Sequence, residues 1–270
     1  LRRNESDKLA AASTTPANDS GGAGGAPEDS PQPQALPDAL NGAQVTAALE
    51  GFRPAALTVV VRHVKDSTLG MARWIRRGPD LADENDLDDY MHEVAGRVGW
   101  LLTELFALDI PRVARLRERM MALGAEFGLG LQTVNVIRGL HADWRRGWIY
   151  VPYSFLESGS DPEQLFRADR NPEREERVLS RLVEKSERHL DAALHYVMLI
   201  PRRHHGVRLF CLLPYLFAVR TLALSRDNRT VFRQEAKIGR EEVHRIVRTA
   251  RLMGWSNRWI RWYGGRLSTV

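Results

Sequence analysis

Residues 123–152 read LGAEFGLGLQTVNVIRGLHADWRRGWIYVP, and the reading of this stretch decides the fold of the chain. For about four turns it is apolar, dotted with glycine and almost uncharged, the pattern of a buried helix. It then delivers Gln132, Asn135, Arg138 and Asp143. Steps of three and four residues bring Gln132, Asn135, Gly139 and Asp143 to one helical face. A polar line at the end of a buried helix fits a binding site. It fits equally a helix terminus entering solvent, with Arg145 and Arg146 complementing the dipole and Gly147 as cap.

Working outward, the same helical character dominates. Residues 44–77 carry apolar groups at mixed three- and four-residue steps, with Pro54 breaking the span near its start. A polar connection, GPDLADEND, follows, with Asp86 as the expected N-cap of a helix over 87–107. Pro111 suits the first turn of a third helix running to about 142. Residues 148–171 read as a loop with a short helical turn after Pro152. Residues 173–200 form a charged amphipathic helix, and 208–224 are apolar nearly all round. Residues 240–262 form an amphipathic, strongly basic helix. No repeat and no convincing strand is present, so the expected class is all-α.

Residues 1–40, with GGAGGAP and PQPQALP, are too poor in large apolar groups to offset their ordering entropy. They read as a disordered tail before a single helical domain over 41–265. The first residue is Leu rather than Met, so coding sequence upstream of it is expected.

The 39 basic and 34 acidic groups leave +5, spread thinly, and no basic block alternates with aromatics. Nucleic-acid binding is therefore not expected, whereas an anionic small molecule or an anionic membrane surface suits the charge. The single cysteine, Cys211, excludes an internal disulfide and fits either a reducing compartment, such as the cytoplasm, or simple core packing. No stretch reaches the roughly 18 uncharged apolar residues of a spanning helix. The acidic run DLADENDLDD over 80–89 lacks EF-hand spacing and reads as a solvated loop. No zinc spacing, GxSxG, P-loop or dinucleotide fingerprint occurs. Gly96, Gly99, Gly124, Gly128 and Gly130 each cost a helix about 1 kcal/mol relative to Ala. They point either to close helix packing or to room for a ligand.

Several segments resemble squalene and phytoene synthases. DLDDYMHEVAGRVGWLLTELF is similar to the segment that carries a YCxxVAGxVG pattern. LGLQTVNVIRGLHADWRRGWIYVP is similar to the second aspartate-rich region, Q-x-x-N-x-x-R-D-x-x-x-D followed by R-x-G-R-x-Y-x-P. FCLLPYLFAVRTLAL, VFRQEAKIGREEV and HVKDSTLGMARWI resemble further family segments, and all appear in family order over roughly residues 60–250. The resemblance implies an all-α isoprenoid synthase fold. It implies condensation of two isoprenoid diphosphates, farnesyl diphosphate foremost, with diphosphate release, in squalene, hopanoid or carotenoid synthesis.

On that resemblance Asp143 and Asn135 match magnesium ligands. Gln132, Asn135, Arg138, Arg145 and Tyr150 match the diphosphate side, with Arg138 and Glu93 as catalytic candidates. Gly96, Gly99 and Gly128 match the substrate pocket, and Lys237 and Arg240 match a basic region near the NADPH phosphates of reductive members. Lipid products suit a peripheral membrane contact. The departures are equally specific. Gly139 stands where the family has the first carboxylate of the motif, Arg73 where an acidic residue is frequent, and the first aspartate-rich motif is not recognisable. A paralogous subunit supplying the missing ligands, or a non-catalytic relative that binds isoprenoids or partners, is the alternative reading.

Overall fold

The computed structural model describes residues 50–78, 80–167 and 171–269, within a compact unit over residues 49–270. The reading of residues 1–40 as a tail lies outside the described residues. Among the described residues every regular element is helical, as expected for an all-α chain.

Helix α1 spans Pro54–Arg77. Pro54 opens it because proline's fixed φ and missing N–H suit the first helical position. Gly78, at φ 91°, closes it by donating its N–H to the Trp74 carbonyl. Helix α2, Glu84–Met91, is capped by Asp83, whose carboxylate accepts from the N–H groups of Asn85 and Asp86 at 2.9 and 3.0 Å. This corrects the expected cap at Asp86. Asp83 is the residue with an extended backbone, and Asp86 already lies inside the helix, where it pairs with Arg77.

The single helix expected over 87–107 is α2, a π turn at His92–Gly96, and α3 at Arg97–Asp109. The wide turn falls where α1 meets it, and the Ser67 hydroxyl donates to the Glu93 carbonyl at 2.8 Å. A side chain competing for a ladder carbonyl is a known cause of such a local change. The third expected helix is also divided. Leu116, at φ −103° and ψ 17°, separates the short α4, Pro111–Arg115, from α5, Arg117–Trp144.

Helix α5 is the axis of the unit, burying Met120, Phe127, Val134, Val136, Ile137 and Leu140 against its neighbours. It packs on α3, on α6 (Pro172–Leu199) and on α7 (His205–Ser225). Short 3-10 turns at Tyr153–Phe155 and Pro162–Leu165 punctuate the loop before α6. Both α5 and α7 are long and apolar enough to cross a bilayer by length and composition, which the sequence reading did not expect. Their core position accounts for that composition.

The expected helix over 240–262 is α8, Arg240–Met253, and α9, Asn257–Leu267. A wholly buried arginine holds the break. Arg208 of α7 donates to the carbonyls of Gly254, Val197 and Ile200 at 2.8, 3.2 and 2.5 Å, and to the side chain of Asn257. One guanidinium thereby serves buried carbonyls at the ends of α6 and α8.

A second polar joint ties α2, α5 and α6. His189 lies between Glu126, 2.6 Å from Nδ1, and Asp88, 3.6 Å from Nε2. The buried Lys185 binds the same Asp88 at 2.6 Å and Glu84 at 3.0 Å. Burial opposes a charge on the His189 ring, but Asp88 and Glu126 outweigh it and Lys185, raising its pKa above the ordinary 6.5. A raised folded-state pKa gives stability that is complete below the unfolded value and lost as pH climbs through the folded one. The unfolding temperature is therefore expected to fall as pH rises from about 6.5 through the folded-state pKa. His189→Gln should flatten that segment of the pH profile, and an unchanged slope in the variant would refute the assignment.

Candidate active site

The face singled out in α5 is real but unevenly dressed. Gln132, Gly139 and Asp143 are half-buried, whereas Asn135 and Arg138 are exposed. A Cβ added to Gly139 would lie 2.9 Å from Asp143 Oδ2, so the two positions share one spot on the helix. Burial pushes the Asp143 carboxyl above its ordinary range, and Arg146, 2.7 Å away, only partly offsets this. Arg138 and Arg145 have no side-chain ion pair among the described residues. They remain available to an external anion.

Opposite this carboxylate stands an aromatic panel. Tyr90 of α2 and Tyr150 stack at 4.9 Å with hydroxyls 2.9 Å apart, Tyr90 donating. Trp74 of α1 meets Tyr90 edge-on at 5.7 Å, and Trp148 stacks on Tyr150 at 6.1 Å. Burial raises both phenol pKa values, and the Asp143 charge adds to each, which places the carboxylate within electrostatic reach of both hydroxyls. The structure sets Tyr150 where it feels the Asp143 charge and places Tyr90 and Trp74, which sequence reasoning missed, in the same aromatic panel. The signal for Tyr90 was present: it occupies the tyrosine of the YCxxVAG pattern.

Glu93 takes a different part. Its carboxylate, in the π turn, is buried against Gly70 and bound by Arg97 and by Arg73, the latter at 3.0 Å. Burial raises its pKa, yet Arg97 and Arg73 together hold it below the ordinary carboxylate range. Both oxygens have arginine partners, so Glu93 anchors α1 to the π turn and is not free to replace a lost metal ligand. Arg73, an apparent departure, is one of those anchors.

The pocket glycines are likewise relocated. A Cβ on Gly99 would collide with the Gly124 carbonyl, and one on Gly128 with the Ala95 carbonyl. One on Gly96 would strike His92, with Leu129 Cδ1 at 3.0 Å. These residues let α3 and the π turn lie backbone-to-backbone on α5, which leaves no substrate surface at Gly99 or Gly128. Lys237 is exposed and pairs with Glu235 at 3.1 Å, and Arg240 opens α8. Among the described residues no group of three or more His, Cys, Asp or Glu is placed to hold a metal ion. One half-buried carboxylate and the exposed Asn135 do not make a preformed cation site. They suit an ion that arrives carrying phosphate oxygens and water.

The family model described as squalene/phytoene synthase matches residues 29–242. Squalene synthase 1 of Arabidopsis thaliana is 28% identical over 187 residues, covering 68% of this chain and 44% of the relative. The human squalene synthase is 28% identical over 184 residues, covering 67% and 42%. The chain therefore spans less than half the length of these curated relatives. A solved structure of TcSQS in complex with a ligand superposes with a TM-score of 0.69 at 24% identity, covering 83% of this chain and 65% of that one, a likeness of fold. The segments that build the α5 face, the π turn and the buried α7 all lie inside the matched span, and the chain belongs to the squalene/phytoene synthase family.

Proposed function

We propose that the chain acts as a squalene-synthase-like prenyltransferase, joining two isoprenoid diphosphates, farnesyl diphosphate foremost, with release of diphosphate. The observation that carries this reading is the half-buried Asp143 carboxylate, whose charge is felt at the Tyr90 and Tyr150 hydroxyls, on the same end of α5 as Arg138 and Arg145, which have no ion pair among the described residues. Loss of diphosphate separates an anion from an allylic cation, and the site offers something to each. Arg138 and Arg145 neutralise the departing phosphates. The aromatic panel of Tyr90, Tyr150 and Trp74 lines the site with electron-rich rings. Tyr90 and Trp148 stack on Tyr150 and Arg77 covers Trp74, so the cation would meet whichever ring surface that stacking leaves open. Magnesium, held by Asp143 and Asn135 together with the substrate's phosphates, would supply Lewis-acid charge at the leaving group. Lys237 and Arg240 would contact NADPH phosphates if the reduction step is present.

One carboxylate is few for this task, and a paralogous subunit would supply the others. The test is magnesium-dependent diphosphate release from farnesyl diphosphate. Asp143→Asn is expected to reduce it at least about 100-fold, the scale of losing one charge-stabilising group. Gly139→Asp should strengthen the magnesium dependence by creating an adjacent carboxylate. A folded chain that binds a farnesyl diphosphate analogue but releases no diphosphate, alone or with its paralogue, would establish the non-catalytic alternative.

A further inference from the structure

The net positive charge, expected from the sequence to be spread thinly, is concentrated at one place. Residues 243–269 hold six arginines and no aspartate or glutamate. Set against the whole-chain charge of +5, those six leave the remainder one unit negative. All six, Arg245, Arg248, Arg251, Arg258, Arg261 and Arg266, are solvent-exposed on α8 and α9.

The same two helices leave large apolar side chains uncovered. Leu252 is 67% exposed, Trp262 57%, Trp255 48% and Met253 39%. Leu252, Met253 and Trp255 project from the corner between α8 and α9, where the Trp255 indole N–H donates to the Leu252 carbonyl at 3.1 Å. That bond fixes the ring over the end of α8. The corner is rigid, because Arg208 binds Gly254 and Asn257, and His205 Nε2 lies 3.0 Å from the Arg251 carbonyl. The loop carrying the exposed Arg202 and Arg203 joins the two helices, α6 and α7, that meet this joint.

We propose that the α8–α9 corner docks the protein on an anionic lipid bilayer, with Leu252, Met253 and Trp255 entering the headgroup region and the surrounding arginines contacting lipid phosphates. Charge complementarity selects this occupant. Aliphatic Leu and Met beside an amphipathic Trp match the interface between acyl chains and headgroups, and basic residues at the rim match anionic lipid. A nucleic acid would use the arginines but gives the two aliphatic side chains no partner. The inference rests on exposure and charge and is independent of the transferase reading. Asp143→Asn should bind membranes as the unaltered chain does.

The experiment is vesicle flotation of the full chain with phosphatidylcholine alone and with added phosphatidylglycerol. Retention is expected on the anionic vesicles and should fall as salt is raised. Arg251→Gln with Arg258→Gln should weaken it about tenfold or more. Leu252→Ser with Trp255→Ser should abolish it, while thermal unfolding of these surface variants stays unchanged. Absence of retention of folded protein on anionic vesicles would overturn the proposal. So would retention indifferent to the Leu252 and Trp255 changes, or tighter binding to an oligonucleotide that survives them.

Discussion

Arg208→Met is expected to lower the unfolding temperature by roughly 10 °C. Methionine fills the stem of the arginine, so little cavity forms. What is lost is the donor set: the carbonyls of Ile200 and Gly254 and the Asn257 side-chain oxygen lose their partner, while the Val197 carbonyl keeps only the Ile200 N–H. A buried acceptor left without a donor costs about 1–3 kcal/mol, so three of them total about 3–5 kcal/mol after partial relaxation. Relief from burying a cation works the other way, since burial already pulls the Arg208 pKa down to about 10. That relief is smaller because the guanidinium is fully hydrogen-bonded. Arg208→Lys should recover only part of the loss, a single ammonium being unable to span three chain segments. A Met variant melting within about 3 °C of the parent, some 1 kcal/mol, would remove Arg208 from this role.

Gly99→Ala should destabilise by about 2 kcal/mol or more, and Gly128→Ala by a similar amount. Alanine ordinarily gains a helix about 1 kcal/mol over glycine, so the expected sign is reversed at these positions. The added Cβ would fall under 3.0 Å from a carbonyl of the neighbouring segment, and that neighbour is backbone rather than a side chain that can rotate. The helices must separate, thinning the packing around Phe127 and Leu129. Gly265→Ala is the control. It is exposed on α9 with no atom within 4 Å of an added Cβ, so it should stabilise slightly. Thermal unfolding of the three variants reads the difference, and equal signs at Gly99 and Gly265 would refute the close-approach account.

Periodicity was enough to reveal the long helices, because their apolar residues pack against one another regardless of detail. Family order then located the α5 face. The breaks were hidden because their causes are distant in sequence. The division between α8 and α9 depends on Arg208, and the π turn depends on Ser67. The helix cap was misplaced by three residues because Asp83 and Asp86 offer the same chemistry and only the backbone distinguishes them. Glu93 read as a catalytic candidate because Arg73 and Arg97 cannot be recognised as its partners until α1 folds back. Glycine content alone could not separate tight packing from a pocket; the carbonyls of Gly124 and Ala95 do. Tyr90 was legible, since it keeps the tyrosine of the YCxxVAG pattern.

The Arg208 joint also sets an order of opening. Its partners are carbonyls and an amide, none of which titrates, and its own charge persists to about pH 10. The joint at His189 depends on a proton that is lost as pH climbs through that ring's raised folded-state pKa, so this rise is expected to free the α2 end while the corner between α8 and α9 stays closed. Amide exchange followed across that pH range should show protection vanishing first around Asp88 and Glu126. Around Gly254 it should persist, so that one end of the helical unit breathes while the other remains shut.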